Sequence, residues 1–295
     1  MVRHRVCTGG GRCEWFIKAP DARLRAGIGP YRGFHARAGV PQDRLVLPSG
    51  RVSLLIGFGG ELRVGERRVG ENGTAEGAKA GAGVARHTSV VSGLHTRARV
   101  LGHGGELHGV ELALAPWAAY RLFGGASLAE LGDVLTDPED VLGARCRSLG
   151  ERLADAPGWG ERFALLDETL LAWTAGAAPA HTVAPAVLEA WRLLHQAQGH
   201  MRIREVADRT GWSLRHLESL FREQIGLTPK RLARVLRLRR AVGELTAGRG
   251  AADTAALCGF FDQSHLGREF NALTGMPPGR WLAAGGTANS AWITG

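Results

Sequence analysis

Up to about residue 115 the apolar positions come in short runs broken by glycine and proline, whereas beyond residue 185 they recur every three to four positions. Arg44–Pro48, Arg51–Phe58, Leu62–Val64, Leu94–Val100 and Leu107–Leu114 are alternating or wholly apolar stretches of strand length, which predict a small β-barrel or sandwich. The glycine-rich tract Gly70–Gly83 reads as a mobile hairpin or loop. Helical signals follow. Pro116 suits a first turn, Ser127-Leu-Ala-Glu130 has the form of a capping box, and Asp137-Pro138 opens a stretch to about Leu153. A helix over about 161–173 places Phe163, Leu166, Leu170 and Trp173 on one face. It leads into the Ala/Gly/Pro stretch Thr174–Thr182.

From 185 onward the order of elements is informative. Ile203–Thr210 predicts a short helix closed by Gly211, and Ser213 follows at once as the N-cap of a helix to about Ile225. That helix has an apolar stripe of Leu214, Leu217, Leu220 and Phe221. Arg215, His216, Glu218, Ser219 and Arg222 are left for its other faces. Two short helices joined by a tight glycine turn form a helix-turn-helix, whose second helix can enter the major groove. The pattern then recurs: a short helix ends at Gly259, and Asp262 caps a second reader from Gln263 to about Thr274 with Leu266, Phe270 and Leu273 inward. Each unit closes with Gly-x-x-Pro, as Gly226-Leu-Thr-Pro229 and Gly275-Met-Pro-Pro278. Between them Pro229 starts a helix to about Leu245, a rod of about 26 Å. Readers at its two ends could approach the ~34 Å repeat of a DNA turn and meet successive major grooves without a second chain. The fold class is thus α+β: a β-rich barrel or sandwich-like domain with following helices, then an all-α domain of two helix-turn-helix units joined by a long helix. The expected divisions are 1–175, a linker over 176–184, 185–284, and a flexible tail over 285–295.

Composition narrows the function. The 295 residues carry 37 Lys+Arg against 28 Asp+Glu, a net charge of +9. Residues 1–180 hold 22 cations and 19 anions and residues 181–295 hold 15 and 9, so two thirds of the excess lies in the shorter piece. Six cations fall in the eleven residues Lys230–Arg240, either as a solvated helix face or as a surface for phosphates. No apolar run reaches the roughly 18 residues of a membrane span. The N-terminus lacks the apolar core of a signal peptide, so cytoplasm is the expected location. Cys7, Cys13, Cys146 and Cys258 show no CxxC spacing and read as reduced thiols.

Cys258-Gly-Phe-Phe-Asp-Gln-Ser-His-Leu-Gly-Arg-Glu-Phe270 with Gly275-Met-Pro-Pro278 closely resembles the signature of the AraC/XylS family of bacterial transcription regulators. Val206–Gly211 through Leu217, Phe221, Gly226 and Pro229 resembles the other half of that family's DNA-binding domain, so the likeness covers about 185–284. Val46-Leu-Pro-Ser-Gly50 and Leu112-Ala-Leu-Ala-Pro116 resemble, more weakly, the N-terminal domains paired with this module in actinobacterial regulators. The resemblance implies a sequence-specific transcription regulator, not an enzyme. Its base contacts would come from Arg215, Glu218 and Ser219 in the first reader and from Gln263, Ser264 and Arg268 in the second. Phosphates would be met by His216, Arg222, Arg237 and His265. Arg, Gln and Glu suit guanine, adenine and cytosine edges respectively. Three positions depart from the family pattern: Ala251 and Thr254 replace large aliphatics, and Gly267 stands where a hydroxyl is common.

Double-stranded DNA is the expected partner, with RNA polymerase, a small-molecule effector and a second copy of the chain as further candidates and no cofactor implied. The alternative puts the weight on residues 1–175 as a ligand sensor, or less readily an enzyme, with the DNA domain as its output. His35, His87, His95, His103 and His108 lack metal-ligand spacing and read as solvated or core histidines. Ser53, Asp43 and His35 make a triad only on paper, because Ser53 lacks a Gly-x-Ser-x-Gly elbow. Gly57-Phe-Gly-Gly60 fits a strand end better than a phosphate loop.

Overall fold

A computed structural model describes residues 2–8, 11–66, 85–178 and 181–283. The Gly70–Gly83 tract and the tail 285–295 lie outside the described residues. The strands are β1 Val2–Thr8, β2 Gly11–Lys18, β3 Tyr31–Arg37, β4 Gln42–Val46, β5 Val52–Gly59, β6 Leu62–Glu66, β7 Ala85–His87, β8 Val90–Ser92, β9 Arg99–His103, β10 Glu106–Leu114 and β11 Leu135–Thr136. They form two antiparallel sheets, one ordered β1-β2-β3-β10-β5-β8-β11 and one ordered β4-β9-β6-β7. Alternation sorts the faces. Val52, Leu54 and Ile56 of β5 enter the core beneath the helices, while Leu55 joins Phe34, Leu62, Val64 and Leu107 in a second core. A register shift between His108 and Gly109 leaves Phe58 of β5 as an extra residue without a partner in the ladder.

Four helices follow: α1 Pro116–Leu122, α2 Pro138–Leu142, α3 Ala144–Asp155 and α4 Trp159–Ala175. Trp159 of α4 stacks on Phe16 with ring centres 4.8 Å apart, and it covers Gly33, where any Cβ would lie 2.0 Å from the indole. The Asp167 carboxylate accepts from Tyr31 Oη at 2.8 Å, Lys18 Nζ at 2.9 Å and the Asp21 backbone N–H at 2.8 Å, which locks α4 to the sheet.

The C-terminal helices are α5 Pro185–Gln196, α6 Ile203–Thr210, α7 Leu214–Ile225, α8 Pro229–Thr246, α9 Ala251–Leu257, α10 Gln263–Thr274 and α11 Pro278–Ala283. Apart from a small cluster of Ala241, Ala255, Cys258, Phe260 and Leu266, their core is shared with the β domain. One apolar cluster runs from the sheet through Trp191, Val206, Leu217 and Phe221 to Leu232 and Leu236, and Leu47 and Ala98 join Leu238, Leu245 and Phe270 in another. Polar contacts reinforce it. Leu128 N–H donates to Glu223 O at 2.8 Å, Ala98 N–H donates to Leu273 O at 2.7 Å, and Asp133 is paired with Arg231.

Several sequence expectations change here. The segment 94–98 is an irregular corner: Leu94 is buried in the cluster that runs from the sheet into the helices and Ala98 beside Leu238 and Phe270, so burial at its two ends comes without a strand between them. Ser127–Glu130 forms turns instead of a helix start, because Leu128 is held by the α7 carbonyl of Glu223. The stretch opened by Asp137 breaks at Gly143, whose φ of 63 ends α2 before α3 begins. β1, β2 and β3, without a clean alternation, were not expected.

Gly226 ends α7 at φ 97, and a Cβ there would sit 2.9 Å from Leu128 O, whereas Gly211, at φ 71, faces open space. Gly211→Ala should therefore cost only the left-handed strain, about 1 kcal/mol, and Gly226→Ala should cost more in chemical unfolding of the full chain. Acid should act on the Asp133 contact. Burial pushes this carboxyl up, but hydrogen bonds from Thr96 and the Arg231 charge outweigh it and hold it below its ordinary value. The stabilisation is complete above about pH 4 and disappears as pH falls through the depressed value. The stability advantage of wild type over Asp133→Asn should shrink over that window.

Candidate nucleic-acid interface

The two reader helices, α7 and α10, are built by the same local devices. Gly211 at φ 71 and Gly259 at φ 68 take the left-handed conformation that ends the preceding helix. The Ser213 hydroxyl accepts from His216 N–H at 3.3 Å, and the Asp262 carboxylate accepts from His265 N–H at 2.6 Å. Leu217, Phe221 and Ile225 are buried on α7, as are Leu266, Phe270 and Leu273 on α10. Leu214, expected in the stripe, is exposed, because it lies at the first helical position beyond the packed face. Thr254 fills its buried position fully, but its hydroxyl has no partner among the described residues.

Arg215, Ser219 and Arg222 are exposed and Glu218 is half-buried, and their spacing puts all four on one face of α7. Gln263, Ser264 and Arg268 are exposed on α10. His216 is exposed and its ring lies 4.5 Å from that of Trp212. His265 is half-buried, edge-on to Phe260 at 5.5 Å, and its Nδ1 accepts from Phe261 N–H at 3.1 Å. That bond puts the ring proton on Nε2, where it can serve an external acceptor.

Arg237 does not stand with them. Its Nη1 donates to Gly199 O at 3.0 Å, its guanidinium lies 5.9 Å from the Phe260 ring centre, and burial works against its charge. The basic run of α8 is mostly turned inward. Arg231 pairs with Asp133, Arg234 makes a two-point contact with Glu269 at 2.8 and 3.2 Å, and Arg239 donates to Ser49 O at 3.4 Å. These cations clamp the rod to its neighbours, which helical spacing alone could not reveal.

A cavity of about 110 Å³ lies between the two sheets, walled by Leu55, Val90, Leu101 and Leu135. Arg51 and Arg239 both line it, the latter reaching in from α8, and among the described residues neither has a carboxylate partner. Burial first, then neighbouring arginine charge, opposes both cations. The same two charges, behind burial, push His195 down to about 4. Ser53 donates to Glu111 at 2.9 Å, Asp43 pairs with Arg63, and His35 stacks on His108, so the paper triad is not assembled. Among the described residues no group of three or more His, Cys, Asp or Glu is placed to hold a metal, and no helix is long and apolar enough to cross a membrane.

Removing either cap should loosen its reader: Ser213→Ala and Asp262→Ala should each cost about 1 kcal/mol in chemical denaturation, without altering the neighbouring unit's exposed face.

Residues 187–284 match the family model described as a helix-turn-helix domain. No curated protein matches the chain. Among solved structures, the C-terminal domain of AraT, a response regulator from Geobacillus stearothermophilus, is similar at 18% identity over 35% of this chain and 87% of that one, with a TM-score of 0.33. The DNA-binding domain of AdpA, a global transcriptional factor solved with a target DNA, is similar at 22% identity over 34% and 93%, with a TM-score of 0.32. ToxT from Vibrio cholerae O395 is similar at 10% identity over 83% and 98%, with a TM-score of 0.42. On the family match, residues 187–284 are an AraC-type helix-turn-helix domain, and the protein that carries it is a DNA-binding transcription regulator.

Proposed function

We propose that this regulator reads two successive major grooves with α7 and α10, held at the ends of a rod whose 18 residues span about 27 Å. The observation that carries this is the duplicated, capped helix with an uncommitted polar face. Arg215, Glu218 and Ser219 would meet base edges in one groove, and Gln263, Ser264 and Arg268 in the other. His216, Arg222 and the Nε2–H of His265 would take phosphates, with the helix N-termini assisting. Arg237 braces the rod in this assignment and is not among the phosphate contacts. Two readers on one chain supply the spacing that other regulators obtain by pairing; RNA polymerase and a second copy remain partners to seek once a site is known.

The test is selection of duplexes by the full chain, then titration across salt. Arg268→Ala should cost about 1 to 3 kcal/mol on the selected site and little on unrelated DNA. Arg222→Ala should weaken binding to all sequences and reduce the salt slope by about one. Equal losses on every duplex for Arg268→Ala would move it to the phosphate class.

A second reading concerns the β domain and is favoured by the cavity. Apolar walls with Arg32, Arg51, Arg99 and Arg239 against one acidic side chain, Glu111, suit a small effector bearing an anionic group, and Arg239 would carry its binding to the DNA-reading rod. In a thermal-shift screen of carboxylates and phosphates against the full chain, a true ligand at 100 times its Kd should stabilise the protein by about 2.7 kcal/mol. Arg239→Ala and Arg51→Ala should abolish the shift, and a screen with no hit on wild type would sink the anionic assignment.

A further inference from the structure

The two turns that lead into the readers differ by one residue. In the first unit Trp212 N–H donates to Ala207 O at 3.2 Å, and in the second Phe260 N–H donates to Ala255 O at 2.9 Å, so these aromatic residues are equivalents. Each also lies against the histidine of its own reader, His216 or His265. The next residue of the first unit is already the cap, Ser213. In the second unit Phe261 comes between Phe260 and the cap Asp262.

This additional residue is 92% exposed, whereas no other large exposed hydrophobic residue among those described exceeds 55%. Its backbone is fixed: the N–H is held by His265 Nδ1, Phe260 before it is buried, and Asp262 after it caps α10. A phenyl ring is thus held in water by a rigid turn at the N-terminal end of a reader, the end that meets base edges. Its exposed neighbours Gln263 and Ser264 are polar, so the ring is an isolated apolar point on a hydrogen-bonding surface. In the major groove the complementary feature is the C5 methyl of thymine, which apolar side chains contact.

We propose that Phe261 is a specificity-determining residue of the second reader that contacts a thymine methyl. This rests on the DNA-reading assignment above and adds to it a base contact without hydrogen bonds, one with no counterpart in the first unit.

The probe is the duplex selected from a random pool by the wild-type full chain. Replacing its thymines one at a time by uracil removes a single methyl group each time. One replacement should weaken wild-type binding about fourfold, the worth of one buried methyl. Phe261→Ala should bind the thymine duplex at least as much more weakly and be indifferent to that same replacement. Phe261→Leu should retain most of the affinity and the methyl dependence. Because the ring is exposed, both variants should unfold as wild type does, which separates a lost contact from a lost fold. Wild-type binding that ignores every uracil overturns the proposal, as does Phe261→Ala binding with unchanged affinity. If Phe261→Ala binds DNA normally but loses transcriptional output, the ring serves a protein partner and the proposal also falls. Failure of wild type to select any sequence would defeat the DNA-reading assignment itself, a different result from a selected sequence without methyl dependence.

Discussion

The helix Pro229–Thr246 is the constraint on which the molecule depends, because it supplies residues to three separate cores. Leu232, Val235 and Leu236 belong to the cluster shared with the first reader and the β domain. Leu238 and Leu245 belong to the one shared with the second reader, and Ala241 packs with Cys258, Phe260 and Leu266. A helix buried on so many sides cannot rotate or tilt for one neighbour alone. Its arginines follow the same logic: Arg231, Arg234, Arg237 and Arg239 each reach a different part of the molecule, so the rod is tied by charge where it is not tied by packing. The position of each reader is therefore coupled to the β domain through one rigid element.

The two ends of the readers are treated differently. At their C-terminal ends carbonyls of Glu223 and Leu273 accept backbone N–H groups from Leu128 and Ala98 of the β domain, which satisfies acceptors that a helix leaves open. At their N-terminal ends the caps Ser213 and Asp262 satisfy one donor each and the flanking side chains stay in water. The β domain thus holds the readers from behind. Any change in how it sits on the rod would alter the disposition of the exposed faces without touching them.

The helix-turn-helix half was legible because its signals are local. A left-handed glycine, a capping hydroxyl or carboxylate two or three residues on, and an apolar stripe at helical spacing depend on neighbours within one or two turns. Gly211, Ser213, Gly259 and Asp262 do what their types predict. The β half was less legible. Tyr31–Arg37 carries a glycine that exists to admit Trp159 from a helix more than a hundred residues away, and Ala98 is buried against a helical domain still further on. Of the candidate base-reading residues all but the half-buried Glu218 stand exposed, but Arg237 does not join the phosphate candidates at the surface, and Leu214 faces water where the stripe placed it inside.

Sequence alone determined which segments are helices of the reading domain, where they stop, and which of their faces are apolar, since these follow from contacts between residues close in the chain. Tertiary structure alone decided what the arginines of the rod do, that Arg51 and Arg239 line one cavity with no carboxylate partner among the described residues, and that the ring of Phe261 is left in water. A guanidinium or a phenyl group has the same identity in the chain whether it faces a phosphate, a carboxylate or solvent. Its surroundings come from residues tens to hundreds of positions away, which only the packed fold brings near or withholds.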